Sequence, residues 1–119
     1  MTHPILERRA RERTALLERA RCWAASLADR LPDLVAVVVV GSVARGDFNV
    51  WSDTDVVVVA RGLPERDRDR WALLCPLEPG IQPIAWTPAE LHEARQRGNP
   101  LAIEADALGV TVHGALPPA

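Results

Sequence analysis

The chain has 119 residues, 48% of them apolar, so it can bury one modest core, and we expect a single domain over residues 1–119. Its formal net charge of −2 lacks the basic excess typical of proteins whose main task is to hold nucleic acid. No segment reaches the roughly 18 apolar residues of a membrane span, and the N-terminus lacks a signal-peptide apolar region, so we expect a cytoplasmic protein.

Two cysteines, Cys22 and Cys75, lie far apart in the sequence and belong to no Cys/His cluster. Neither a zinc site nor a disulfide framework is therefore indicated. We predict that both are reduced, buried thiols.

The first third of the chain predicts a helix, a buried strand and a tight turn. Apolar residues recur every three or four positions over residues 4–31, which is the spacing of an amphipathic helix. Residues 34–40 read LVAVVVV, and this β-branched run predicts a strand covered on both faces. Gly41 ends the strand, and residues 42–47 have room for only a short helical turn.

The remaining segments alternate between strand and helix patterns. Residues 87–90 form a capping-box pattern with proline at the first helical position, which predicts the start of a helix. The other predictions are a loop over 49–52, strands over 53–60, 81–86 and 110–113, helices over 65–74, 88–97 and 100–109, and a disordered tail over 114–119. This order predicts an α/β fold with a small mixed sheet and packed helices.

Asp53 and Asp55 begin the second predicted strand. Residues two apart in a strand project from the same face, so both carboxylates lie on one side while Thr54 points away. Magnesium prefers oxygen ligands and is often held by one or two carboxylates together with substrate phosphates. A strand-entry turn is the alternative explanation, but an aspartate at the edge of a buried valine strand is costly without a partner. We therefore predict a metal site, in which a carboxylate can bridge two ions.

The turn after the first strand carries a second set of candidate groups. Gly41 leaves the backbone open to a phosphate, and Ser42 offers a hydroxyl and free N–H donors. Arg45 either neutralises a triphosphate or is a solvated surface charge. For Asp47 we predict a capping or bracing role in the loop.

The residues of this turn and strand resemble a known family. GSVARGDFNVWSDTDVVVV is similar to the Gly-Ser, then Asp-x-Asp signature of the DNA polymerase β-like nucleotidyltransferase superfamily, closest to its minimal nucleotidyltransferase (MNT) branch. The segments WTPAEL and NPLAIEADALGVTVHG also resemble that branch, so the resemblance covers residues 34–114. It implies a polymerase β-like nucleotidyltransferase fold.

The resemblance also implies roles for individual residues. Gly41 and Ser42 would bind the phosphates of ATP, and Asp53 and Asp55 would be catalytic and bind two magnesium ions. The family's third carboxylate, on the next strand, falls at Gln82, which can neither act as a base nor offset metal charge. Glu78 or a carboxylate from a partner would have to substitute for it.

Two functions follow from this resemblance. The first is transfer of AMP from magnesium-bound ATP to a hydroxyl of a partner protein. By resemblance to the MNT branch, that partner would be a helical HEPN-type toxin. The chain would inactivate the toxin and so act as its antitoxin. The second is a non-catalytic partner that retains the fold and acts by complex formation. Nucleic acid is not the expected partner, and the oligomeric state, including a homo-oligomer, stays open.

The first predicted helix is rich in arginine. These side chains could contact RNA or an acidic partner, but the glutamates between them favour a solvated helix face. The cluster consists of Arg8, Arg9, Arg11, Arg13, Arg19 and Arg21.

The four tryptophans are Trp23, Trp51, Trp71 and Trp86. We predict that they are core or interface anchors. For Trp51, which lies just before Asp53, stacking on a nucleotide base is the alternative.

Overall fold

A computed structural model describes residues 3–49 and 51–119, so one position of the predicted 49–52 loop lies outside the described residues. The secondary structure confirms the predicted order of helices and strands. The elements are α1 (Pro4–Arg30), β1 (Leu34–Val40), α2 (Gly41–Arg45), β2 (Thr54–Ala60), α3 (Asp67–Leu74), β3 (Ile81–Trp86), α4 (Pro88–Gln96), α5 (Pro100–Ala107) and β4 (Val110–Gly114).

The strands form one mixed sheet in the order β3-β2-β1-β4. β1 is antiparallel to β2 and β4, whereas β2 and β3 are parallel. The end of β1 therefore lies beside the starts of β2 and β3. Val40 pairs with Asp55, and Asp55 pairs with Gln82. Three chain segments thus converge at one end of the sheet.

Helices cover both faces of the two central strands, as the unbroken valine run predicts. Val37 and Val39 belong to a core shared with α1, and Val38 and Val40 belong to a second core shared with α4 and α5. These four valines are at most 1% exposed. Each buried side chain of this size contributes roughly 1.5–3 kcal/mol, so the two cores hold the sheet rigidly beneath its polar end.

The outer edge of β3 is closed by an arginine and a proline. Arg70 Nη1 donates to the carbonyl of Ala85 at 3.2 Å and pairs with Glu90 at 2.8 Å. Pro83, two residues before Ala85 and so facing the same edge, has no N–H to offer. One outward N–H is therefore missing at Pro83, and one outward carbonyl, that of Ala85, is already bonded.

Several predictions about individual residues differ from the structure. Cys22 is exposed and Cys75 is half-buried, so the predicted burial is wrong for Cys22 and only partly met at Cys75. Cys22 is not among the residues that α1 buries. Trp23 is 5% exposed and anchors the core, whereas Trp51 is 89% exposed.

Trp71 is also an exposed side chain, and Trp86 packs against the second core. At the C-terminus, Gly114 pairs with Ala36 in β4 rather than beginning a disordered tail, and Leu116 packs against the second core. None of the helices within residues 3–49 and 51–119 is long and apolar enough to cross a membrane.

Candidate active site

Gly41 and Asp55 touch where β1 ends and β2 begins. Gly41 has a φ of 71°, and a Cβ atom built on it would lie 2.6 Å from Asp55 Oδ2. A side chain at this position would therefore collide with the carboxylate and would also strain the backbone. Only glycine lets the Gly-Ser turn approach the aspartate so closely.

Asp55 is positioned by the alternation of β2, and Asp53 is the exposed residue directly before that strand, which begins one residue later than predicted. Thr54 is 3% exposed, and its backbone N–H donates to the carbonyl of Gly80 at 2.7 Å. Asp55 is half-buried on the opposite face, which it shares with Val57 of the second core. The inward position of Thr54 and the opposite position of Asp55 match the prediction, while the alignment of the Asp53 carboxylate with that of Asp55 stays a prediction.

The carboxylate of Asp55 is poorly stabilised as an anion in the metal-free protein. Burial raises its pKa, the negative charges of Asp53 and Glu104 raise it further, and Arg45 opposes them. A cation bound between the carboxylates would relieve both effects. Oxygen donors with unneutralised negative charge are the donor set that suits magnesium.

The protein ligands do not complete a metal site by themselves. Within residues 3–49 and 51–119 no group of three or more His, Cys, Asp or Glu side chains is placed to hold a metal ion. An ion held by Asp53 and Asp55 would therefore draw its further ligands from water and from phosphate oxygens, as magnesium commonly does.

Arg45 takes part in an ion-pair network. Its Nε lies 3.2 Å from Asp47 Oδ2, and its Nη1 donates to Glu104 Oε1. These bonds raise the pKa of Arg45. The bracing role predicted for Asp47 is observed in its ion pair with Arg45. The Arg45 side chain is exposed, but both of its ion pairs hold it in place.

Glu104 is a site residue that sequence reasoning missed. Its side chain is 18% exposed and lies near enough to Asp55 to influence that pKa. It comes from α5, far along the chain from the Gly-Ser turn. The segment PLAIEADA has two carboxylates, Glu104 and Asp106, and nothing local to the sequence distinguishes them. Only the packing of α5 on the sheet brings Glu104 to the site.

On the β3 side of the pair the carboxylate is absent. Gln82 lies in register with Asp55 and is exposed, at the position where the resemblance implies the third acid. Glu78, the substitute considered, pairs with Arg19 of α1 at 3.1 Å. The site therefore has acidic groups at the β1–β2 junction and an amide opposite them on β3.

A cleft adjoins Asp53 on the side of α1. Its cavity volume is about 300 Å³, and its walls include Arg19, the exposed Trp51 and the Gly80 turn. This is within the lower range of small-molecule sites. Base stacking on Trp51 stays a prediction.

Two arginines of α1 support the Gly-Ser turn from behind. Arg13 donates to the carbonyls of Val43 and Ala44, and Arg9 donates to the carbonyl of Phe48. The solvated helix face predicted for the arginine cluster is therefore wrong at Arg9 and Arg13, because both side chains reach the backbone of α2 and its following loop.

Comparison with known protein families matches residues 24–104 to the nucleotidyltransferase domain. A segment of 42 residues is 43% identical to MJ1305, a candidate protein adenylyltransferase of Methanocaldococcus jannaschii. That segment is 35% of this chain and 29% of the relative, so the chain spans under a third of that protein's length.

The fold is also similar to two solved structures. One is a candidate nucleotidyltransferase from Sulfolobus solfataricus, with a TM-score of 0.66 and 22% identity over 87% of this chain and 84% of that one. The other is a toxin-antitoxin crystallised with AMP-PNP, with a TM-score of 0.51 and 17% identity over 80% of this chain and 73% of that one. At these identities the likeness shows a shared fold.

Proposed function

Because the chain belongs to the nucleotidyltransferase domain family, we propose that it transfers AMP to a hydroxyl of a partner protein. The AMP comes from ATP bound to magnesium. The observation that carries the proposal is the contact between Gly41 and Asp55, which sets the Gly-Ser turn against a carboxylate. Phosphate-binding and metal-binding groups have to meet in this way for nucleotidyl transfer.

Each polar group at the site has a part in the proposed reaction. Ser42 and Arg45 bind the phosphates, and Asp53 and Asp55 hold two magnesium ions, which when bound stabilise charge on the phosphoryl and leaving oxygens. The acceptor oxygen forms a bond to the α-phosphorus, the bond from that phosphorus to the oxygen bridging to the β-phosphate breaks, and pyrophosphate leaves. The hydroxyl proton passes to water, since Gln82 is not a base.

The proposed partner is a helical HEPN-type toxin, so that the chain would act as its antitoxin. Two likenesses support this choice. The Methanocaldococcus jannaschii relative is described as acting on protein, and a structural neighbour is a toxin-antitoxin that holds an ATP analogue. A partner protein would also bring its own acceptor surface to the site.

A second candidate function has its own observation. Gln82 lies directly opposite Asp55 in the register of β2 and β3, where a carboxylate is expected for turnover. The chain would then bind nucleotide and partner without transferring AMP. Binding and complex formation are common to both candidates, and only transfer separates them.

The decisive experiment incubates the protein with α-labelled ATP, magnesium and the protein encoded beside it, which the proposal expects to be of the HEPN type. We expect label on the partner with the wild-type chain and none with Asp53→Ala/Asp55→Ala. A stable complex without label in the wild type, with label appearing for Gln82→Asp, would establish the non-catalytic candidate. Absence of both complex and nucleotide binding would refute both functions.

A further inference from the structure

Two arginines of α1 behave differently from their neighbours. Arg8 and Arg11 are exposed, whereas Arg9 and Arg13 are half-buried. Arg9 and Arg13 are four residues apart and therefore lie on one face of the helix. That face is turned towards α2 and the loop that follows it.

Arg13 uses its planar guanidinium on two neighbouring carbonyls. Its Nε donates to Val43 O and its Nη2 to Ala44 O, each at 2.9 Å. The last carbonyls of a helix have no partner within the helix, and burying them unbonded is costly. The carbonyl of Ser42 is already bonded by the N–H groups of Gly46 and Asp47, at 2.8 and 3.0 Å. Arg13 therefore completes the C-terminal end of α2.

Arg9 extends the same support along the loop. It donates to the carbonyl of Phe48 and, at 3.4 Å, to that of Gly46. Its guanidinium also lies 5.0 Å from the centre of the Phe48 ring, which is buried in the first core. A cation over an aromatic face adds to the attachment. The first part of the loop, from Gly46 to Phe48, is thus held to α1.

α2 needs such support because it has only five residues. A helix this short does not form on its own, since nucleation is costly and few hydrogen bonds repay it. A positive charge at its C-terminal end also favours the orientation of its peptide dipoles. The carbonyls that bind the two arginines belong to residues 43–48, so the guanidinium groups are directed at the backbone behind Ser42.

We propose that Arg13, assisted by Arg9, is a positioning residue for nucleoside triphosphate binding. It fixes α2 so that Gly41 stays against Asp55 and the Gly-Ser turn receives the phosphates. This inference rests on the proposed function, because it concerns the nucleotide of that same site. Arg13 acts through the backbone of α2 and not by touching the nucleotide.

The test measures the Kd of a non-hydrolysable ATP analogue with magnesium by calorimetry for Arg13→Gln, Arg13→Lys and Arg11→Gln. Arg13→Gln loses two charged hydrogen bonds, and we expect a Kd about tenfold higher. Arg13→Lys keeps the charge but loses the planar guanidinium that bonds two carbonyls, so its Kd should lie between those of the wild type and Arg13→Gln. Arg11→Gln, which has the same charge change at an exposed position of α1, should bind as the wild type does.

Thermal unfolding and kinetics separate positioning from general stabilisation. Where transfer is measured, the KM for ATP should rise in Arg13→Gln with a smaller change in kcat. A lower Tm in Arg13→Gln with an unchanged Kd for the folded protein would overturn the inference and leave the proposed function intact. If the wild-type chain binds no nucleotide, both the inference about Arg13 and the proposed function are wrong.

Discussion

The two halves of the site differ in what they bring to the reaction. At the β1–β2 junction, Gly41 lies against Asp55, and Arg13 holds α2 from behind. At the β2–β3 junction, Asp55 faces Gln82, and the strands are tied by the bond between Thr54 and Gly80. In the proposed reaction, the first junction would hold the metal-bound triphosphate, and the second lacks an acid that would assist the acceptor. Because different strand pairs supply the two tasks, one can be lost without the other.

The largest effect should follow loss of the Asp55 carboxylate. Asp55→Asn removes the acid in contact with Gly41, and we expect magnesium-dependent nucleotide binding to weaken by about a hundredfold or more. The same variant should unfold at a higher temperature than the wild type in metal-free buffer, because a half-buried charge and its repulsion with Asp53 are both removed. Calorimetry and thermal unfolding measure the two changes, with Asp29→Asn as an exposed control. Unchanged binding would contradict the assignment of the first half.

The next largest effect tests how closely Gly41 must approach Asp55. In Gly41→Ala the new Cβ meets Asp55 Oδ2, whereas Gly46, with a φ of 86°, has nothing within 4 Å of a Cβ. Gly46→Ala should cost about 1–2 kcal/mol of unfolding free energy from backbone strain alone. Gly41→Ala should cost more and also weaken nucleotide binding. Urea unfolding of both variants gives the difference, and equal costs would mean that the contact with Asp55 is easily relaxed.

A gain of function should come from the second half. Gln82→Asp places a carboxylate in register with Asp55, and we expect AMP transfer to rise by about tenfold or more through general-base assistance. The Kd for ATP should change little, since the first half is untouched. Single-turnover rates with labelled ATP measure this, and Gln96→Asp on α4 controls for the added charge. Equal rates in both variants would show that the acid on β3 does not limit transfer.

The smallest effect concerns the pKa of Asp55. Glu104 raises that pKa, so Glu104→Gln should lower it, while the exposed change Glu93→Gln should leave it alone. Since the pKa is raised on folding, the metal-free protein loses stability as the pH rises through it, and Glu104→Gln should reduce this loss. Carboxyl NMR titration without metal measures the shift. A higher pKa of Asp55 in Glu104→Gln than in the wild type would show that Glu104 acts on Asp55 mainly by holding Arg45 in place.

Much of the fold was predictable because its signals are local. The valine run of β1 marks a strand buried on both faces, and the capping box of Thr87 and Glu90 marks the start of α4, with both of its hydrogen bonds present. The start of α3 was placed two residues early, because Arg66 is still extended and the helix begins at Asp67. Alternation along β2 was sufficient to place Thr54 inward and Asp55 on the opposite face.

The supporting residues were not predictable, because their roles arise from tertiary packing. Arg13 and Arg11 look alike in the sequence, and only the position of α2 beside α1 gives one of them two carbonyls to bind. Glu104 likewise becomes part of the site only when α5 packs on β1. Trp51, predicted as a core or interface anchor or as a surface for base stacking, is 89% exposed and so is not a core anchor.

The closed edge of β3 also limits how this domain can assemble. A strand from another molecule would need free N–H and carbonyl groups along that edge, but Pro83 has none to donate and the Ala85 carbonyl is occupied by Arg70. Sheet extension at β3 is therefore disfavoured, which protects the chain from edge-to-edge aggregation. A partner approaching from this side has to be recognised through side chains rather than by adding a fifth strand.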